Sequence, residues 1–400
     1  MKILFLAPFG IRPKGTVIAR MLPLAVELQK LGHSVTIVAP PYTNPEDSGK
    51  IEVLLGVRLV NVVLPACGKA LGVLPLTWRM FRMALAEKPD IIHLFKPKGY
   101  GGLASMLMLS LQRCGVRMPP LFVDTDDWEG KGGMNDLHTY SSAEKRLFAF
   151  QEQWLSRHAA GMTVASRELQ RLTVGLGVAS ERVLYLPNCV EDTPPGDGAR
   201  VREKLGIGPE VPVVLLYTRF FEFSQEKLHA VLTDIWRQIP AVRFLVVGKG
   251  RNNEEELLLN AGQERGFVQA LVMGGWLQPD DIASYLAAAD LALYPFSDTL
   301  ANRSKCPAKM TEILRAAIPV VADNVGQLAE YIKTDISGVL CNPDNWDEMV
   351  GQAVRLLRNG DAGRLLGAAG RRYLLDAFSW DAYADKLDKL YVSIIHKRKT

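Results

Sequence analysis

Short apolar runs recur along this 400-residue chain, spaced so that a helix fits between most neighbours. Residues 3–7, 35–38, 91–94, 121–124, 162–165 and 183–186 form one series. Runs this short and continuously apolar read as strands buried on both faces of a parallel sheet. Between the first two runs, residues 17–31 carry apolar side chains at helical spacing and stop at Gly32-His33. That order is a βαβ unit, because parallel neighbours need a long crossover. A second series follows at 213–217, 243–247, 270–273, 291–294 and 320–321, with helical stretches at 225–238, 253–264, 279–288, 307–316 and 346–358. Two such series predict an α/β protein with two doubly wound, Rossmann-like parallel sheets. The length agrees, since one core rarely organises so many residues. Glu191 to Pro212 is polar and turn-rich (Asp192-Thr-Pro-Pro-Gly-Asp-Gly) and reads as a linker between domains at 1–190 and 205–379. The final helix, 380–396, puts Trp380, Tyr383, Leu387, Leu390 and Tyr391 on one face and should pack back on the first domain. Ligands of open parallel sheets lie beyond the carboxyl ends of the strands, so an interdomain cleft is the expected site.

Within the second series the stretch 304–323 carries the most chemistry. Lys305 and Lys309 lie at or near a helix start, where free N–H groups and the helix dipole favour an anion such as a diphosphate. Glu312 falls inside the same helix and can accept two hydrogen bonds from a sugar diol. Ser304 reads either as a pocket residue or as a helix cap. Net charge is +4, yet residues 1–120 hold fifteen Lys/Arg against six Asp/Glu. That surplus suits an anionic partner, or it is a solvated surface with scattered lysines. Cys67, Cys114, Cys189, Cys306 and Cys341 are scattered with no CxxC pair, so neither a disulfide framework nor a zinc site is indicated, and a reducing cytoplasm is expected. The first residues form a strand-like run too short for a leader, and no window approaches the ~20 apolar residues of a membrane span.

The ordered motifs resemble the retaining glycosyltransferases of family 4, with the GT-B fold, nearly end to end. A glycine loop follows the first strand (Pro13-Lys-Gly15-Thr). "Leu-Gly-His-Ser-Val-Thr-Ile", "Lys-Pro-Asp-Ile-Ile-His93" and "Leu-Pro-Asn188-Cys-Val-Glu191" come next. "Tyr-Thr-Arg219", "Phe-Leu-Val-Val-Gly248-Lys-Gly250", "Gly-Gly-Trp276-Leu", "Ala-Ala-Asp290-Leu", "Glu312…Pro-Val-Val" and "Phe378-Ser-Trp380" complete the set. The resemblance implies that the second domain binds a nucleotide-diphosphate sugar and the first an acceptor. The sugar would pass to an acceptor hydroxyl with retention of configuration and without a metal or other cofactor. It also implies donor contacts at Gly15, Arg219, Gly248, Ser304, Lys305 and Glu312. Whether the nucleotide is UDP or GDP stays open, as does whether the acceptor is a glycan, a lipid-linked group or a small molecule. A nucleic-acid partner is not implied.

Three departures from the family pattern stand out. The first glutamate of the family's pair falls on Ser304, and only the second, Glu312, is present. The lysine that many members place shortly after the arginine is delayed to Lys227, which makes Lys305 its substitute. The His-x-His of some members is reduced to His93-Leu-Phe95. His93 is therefore either an acceptor-orienting group or a satisfied polar residue. Asp124-Thr-Asp126-Asp127-Trp-Glu129 could hold a divalent metal, cap a loop or meet an acceptor hydroxyl. With the resemblance, the last role is assigned to Asp126. Residues 71–85 form a candidate amphipathic helix that either touches acidic lipid at the inner membrane face or packs in the ordinary way. A glycan-binding or nucleotide-sugar-binding protein without turnover, and a UDP-sugar epimerase or hydrolase, are the competing functions.

Overall fold

The computed structural model describes residues 1–11, 15–66 and 71–399. Pro13 and Lys14 of the glycine loop, and Cys67, lie outside the described residues. The chain divides into two compact units. The first comprises Met1–Cys189, Ser304–Cys306 and the chain from Trp380 onward; the second comprises Val190–Arg303 and Pro307–Ser379.

The sheet of the first unit contains β1 (Lys2–Leu6), β2 (Ser34–Ala39), β3 (Ile51–Leu54), β4 (Val57–Asn61), β5 (Ile91–Phe95), β6 (Leu121–Thr125), β7 (Gly161–Val164) and β8 (Val183–Tyr185). Its order is β3-β4-β2-β1-β5-β6-β7-β8. Each pair is parallel except the antiparallel β3–β4 hairpin at one edge. Strands β5 and β6 are buried throughout, in keeping with helices on both faces. The chain leaves β1 in one direction and returns at β5 in the other, which creates a switch point between β1 and β5. The terminal helix Trp380–Lys399 closes this unit: Tyr383, Ala384, Leu387 and Tyr391 are buried, and the helix packs on Leu22–Lys30, β7 and β8.

The second unit holds β9 (Val213–Tyr217), β10 (Arg243–Val247), β11 (Leu271–Gly275), β12 (Leu291–Tyr294), β13 (Val320–Asp323) and β14 (Val339–Cys341). All pairs are parallel, in the order β11-β10-β9-β12-β13-β14, with the switch point between β9 and β12. The core beneath Gln225–Gln238 is dense in Val, Leu and Phe, including Leu228, Leu232, Phe244 and Phe267. The expected linker is not a free tether. Its residues Gly198–Lys204 form a helix that packs on Pro279–Ala287, and Arg202 bonds Ala288 O and the Asp290 carboxylate. Among the described residues no helix is long and apolar enough to cross a membrane.

Candidate active site

In the second unit, functional side chains gather where β9 and β10 end. Tyr217 is the last residue of β9, and its hydroxyl and the Glu312 carboxylate lie near enough to shift each other's ionisation. Lys309 places its ammonium 4.5 Å from the Tyr217 ring centre. Glu312 and Lys309 share a face because they are one helical turn apart on Ala308–Arg315. That helix starts after Pro307, whose carbonyl accepts from Met310 N–H at 3.1 Å, and the helix dipole there favours an anion. Burial raises the Glu312 pKa, while the Tyr217 hydroxyl, Arg315 and Lys309 work the other way. A cavity of about 130 Å³ lies beside Glu312, walled by Pro195, Ile282, Leu286 and Arg315. Arg219, two residues past β9, is exposed and faces the Trp276 indole at 5.6 Å.

Gly248 follows β10 with φ +123°, a backbone state that side chains resist. Its N–H donates to Gly275 O at 2.8 Å, and a Cβ there would fall 1.9 Å from Thr218 O. Only glycine lets these strand ends come together. Lys227 does not take part. Its ammonium is buried against both Asp323 oxygens at 2.6 and 2.7 Å and Pro343 O at 2.9 Å. It pins the helix Gln225–Gln238 to the end of β13.

In the first unit, the carboxylates around β6 separate into two kinds. Asp124 is fully buried and takes two hydrogen bonds from Arg20, at 2.9 and 2.6 Å, and one from Thr163 Oγ1 at 2.6 Å. Glu129 is equally buried and pairs with Lys98 at 2.7 Å. Asp126 and Asp127 instead flank Lys96 at 2.8 and 2.5 Å, and their side chains keep 15% and 17% exposure. Burial works against the Lys96 ammonium, yet Asp126, Asp127 and Glu129 push its pKa well above the ordinary value. With Asp124 held by Arg20 and Asp126 by Lys96, the Asp-x-Asp pair already has its cations.

Two expected contacts are corrected. His93 lies inside the sheet, with Nδ1 2.6 Å from the Tyr391 hydroxyl and Nε2 3.2 Å from Thr163 Oγ1. Burial pushes its pKa down to about 4, so it is neutral at physiological pH and presents no ring nitrogen to an acceptor. Ser304 is also fully buried, and its carbonyl accepts from Ser166 Oγ at 2.7 Å. It belongs, with Lys305 and Cys306, to the first unit, whereas Glu312 belongs to the second. Lys305 acts electrostatically on Asp127. Gly15 is exposed, with nothing within 4 Å of where a Cβ would stand. The sequence reading missed Tyr217 and Arg20. An arginine inside the apolar stretch Val17-Ile-Ala-Arg20-Met-Leu was the available signal for the second.

The helix Val73–Ala86 buries Leu76, Met80, Phe81 and Ala84, while Leu74 (78% exposed), Trp78 (52%) and Arg82 face outward. A separate cavity of about 930 Å³ lies near the amino ends of β1, β5 and β6, lined by Met1, Asp90 and Pro120. That is the wrong end of the sheet for the ligands such folds take.

Comparison with known proteins agrees with the fold. Residues 15–189 match the model of the glycosyl transferase 4-like domain, and residues 211–359 that of the glycosyl transferases group 1. A D-inositol 3-phosphate glycosyltransferase of Segniliparus rotundus is 30% identical over 199 residues, covering 48% of this chain and 42% of its own. The chain therefore spans less than half the length of that relative. A phosphatidyl-myo-inositol mannosyltransferase of Mycolicibacterium smegmatis is 24% identical over 400 residues, covering 98% of this chain and 94% of its own. The sucrose-phosphate synthase of Thermosynechococcus elongatus superposes with a TM-score of 0.76 at 17% identity, covering 99% of this chain and 100% of its own.

Proposed function

Because the chain belongs to the glycosyltransferase 4 family and has its GT-B fold, we propose that it moves a hexose from a nucleoside-diphosphate sugar to a hydroxyl of a phosphorylated cyclic polyol, free or lipid-linked. Transfer proceeds with retention and without a metal. The observation that carries this reading is the gathering of Tyr217, Glu312 and Lys309 at the end of β9 and the start of Ala308–Arg315, with Arg219 two residues past β9.

Glu312 accepts from the ribose hydroxyls, with Tyr217 beside it. The leaving diphosphate gains negative charge as the glycosidic bond breaks. Fixed N–H dipoles and cationic side chains stabilise that charge without reorganising. Arg219, Lys309 and the dipole of the helix Ala308–Arg315 supply them in the second unit. Gly248 keeps the strand ends close. Asp126 accepts from the acceptor hydroxyl. Metal independence is supported by the lysine and arginine already paired with Asp126 and Asp124, since a divalent ion would have to displace them.

The acceptor class rests on the two inositol-directed relatives and on the basic surplus of residues 1–120. A lipid-linked acceptor also accounts for the outward Leu74, Trp78 and Arg82, which suit an acidic membrane surface on the cytoplasmic side.

The test is calorimetry with UDP and GDP followed by product analysis with inositol phosphates. Glu312→Ala and Arg219→Ala should each weaken nucleotide affinity at least tenfold, and EDTA should leave turnover intact. Unchanged affinity in both variants, or activity lost to EDTA and restored by Mn²⁺, rejects the site as described. Nucleotide binding without transfer would favour a non-catalytic binding protein, and release of UDP without an acceptor a hydrolase.

A further inference from the structure

We propose that Lys96 is a positioning residue for acceptor use: it holds Asp126 and Asp127 side by side as an ionised pair facing the acceptor. The proposal rests on the reading of Asp126 given above and extends it to two residues with no role so far.

The argument begins with place. Lys96 immediately follows β5, one of the two strands at the switch point, and its backbone sits at φ +55°. A non-glycine residue in that region is strained and persists only where its surroundings enforce it. Here its N–H bonds Asp124 O at 2.9 Å, while Thr125 Oγ1 donates to Asp127 O at 2.9 Å. The backbone strain turns the ammonium onto both carboxylates, at 2.8 and 2.5 Å.

Exposure then separates this group from its neighbours. Asp124 and Glu129 are sealed, at 1% each, and do structural work with Arg20 and Lys98. Asp126 and Asp127 form the adjacent pair that is anchored yet still reachable. Two carboxylates on one ammonium repel each other, and without that cation they would come to share a proton. The groups acting on Asp126 are Lys96, Asp127, Arg20 and Asp124; those on Asp127 are Lys96, Lys305 and Lys98. Burial pushes Asp126 up, whereas against the burial of Asp127 the lysines draw it down, so the balance of the pair depends on Lys96. Two ionised carboxylates accept hydrogen bonds from neighbouring hydroxyls, and a half-protonated pair loses one acceptor.

The experiment compares Lys96→Met, Lys96→Arg and Lys98→Met in the intact protein. Transfer to D-inositol 3-phosphate and to phosphatidylinositol vesicles is followed from pH 6 to 9, with nucleotide affinity measured separately by calorimetry. Lys96→Met should raise the acceptor KM at least tenfold. It should also make that KM pH-dependent across this range, through an ionisation that wild type lacks. Lys96→Arg should restore the flat profile, and nucleotide affinity should not change in either variant. Lys98→Met should lower the melting temperature without creating the new ionisation. A flat profile in Lys96→Met, or the same profile in Lys98→Met, overturns the proposal. If wild type transfers to neither probe, the acceptor reading fails, and carboxylate titration by ¹³C NMR decides the rest. A proton taken up in Lys96→Met where wild type takes up none supports the pairing role, and a titration matching wild type refutes it.

Discussion

Replacing Gly248 by alanine tests whether the close approach of the strand ends is what the donor half needs. The added methyl would stand 1.9 Å from Thr218 O, over 1 Å inside the nearest tolerable contact. Backbone on both sides leaves no flexible side chain to yield. The residue would also have to hold φ +123°, which costs about 1–3 kcal/mol. Forced overpacking adds about 1–3 kcal/mol. Relief by separating the strands would stretch the Gly248 N–H to Gly275 O bond, now 2.8 Å, and the Thr218 N–H to Val247 O bond, now 2.9 Å. The expected loss is roughly 2–6 kcal/mol, or a melting shift of at least about 4 °C for a unit of this size. Because Thr218 precedes Arg219, nucleotide affinity should fall as well. Differential scanning calorimetry with and without GDP or UDP measures both effects. A melting temperature within 1 °C of wild type and unaltered affinity, with ~1 °C taken as the resolution of such a shift, would refute the packing argument.

Gly15→Ala gives the complementary result: with no described residue within 4 Å of the added methyl, the substitution should leave the melting temperature unchanged, and a loss of several degrees would contradict that reading. Glu152 is buried, and burial followed by the charge of Glu129 raises its pKa from 4.5 to about 8. The native state then keeps a proton that the unfolded chain releases. Its stabilising contribution is full below pH 4.5 and falls by roughly 1.4 kcal/mol per pH unit until about pH 8. Glu152→Gln should abolish that slope in urea unfolding, and an unchanged slope would contradict the assignment. Anionic vesicles should pull the protein down at low salt and less at high salt, with Trp78→Ser and Leu74→Ser reducing the capture; capture insensitive to both changes would rule out the helix.

The parallel strands were legible because burial on both faces writes them as unbroken apolar runs. Three strands escaped notice. Ile51–Leu54 is a largely exposed edge strand, Val57–Asn61 is mostly buried but its apolar run is broken by Arg58 and Asn61, and Val339–Cys341 is only three residues long. The helix Gly99–Arg113 opens on Gly-Tyr-Gly-Gly, which locally resembles a loop. Glu312 inside a helix and Arg219 past a strand end could be placed because strand ends and helix starts are local features. The fates of Ser304, Lys227 and His93 could not, since each is decided by a partner far away in sequence: Ser166, Asp323 and Tyr391. Asp124 to Glu129 shows the same limit within six residues. Their sequence offers four carboxylates, and only their cations, from Arg20 to Lys98, tell the sealed ones from the reachable pair.

The Tyr391–His93 hydrogen bond joins residues separated by most of the gene. A ribosome delivers β5 early and the helix that covers it last. The nascent amino-terminal half must therefore wait, its sheet partly uncovered, while the whole second unit emerges and folds. A stop codon just before Trp380 would remove no donor-side residue, yet it should leave that half permanently unfinished and expose it to chaperones and proteases.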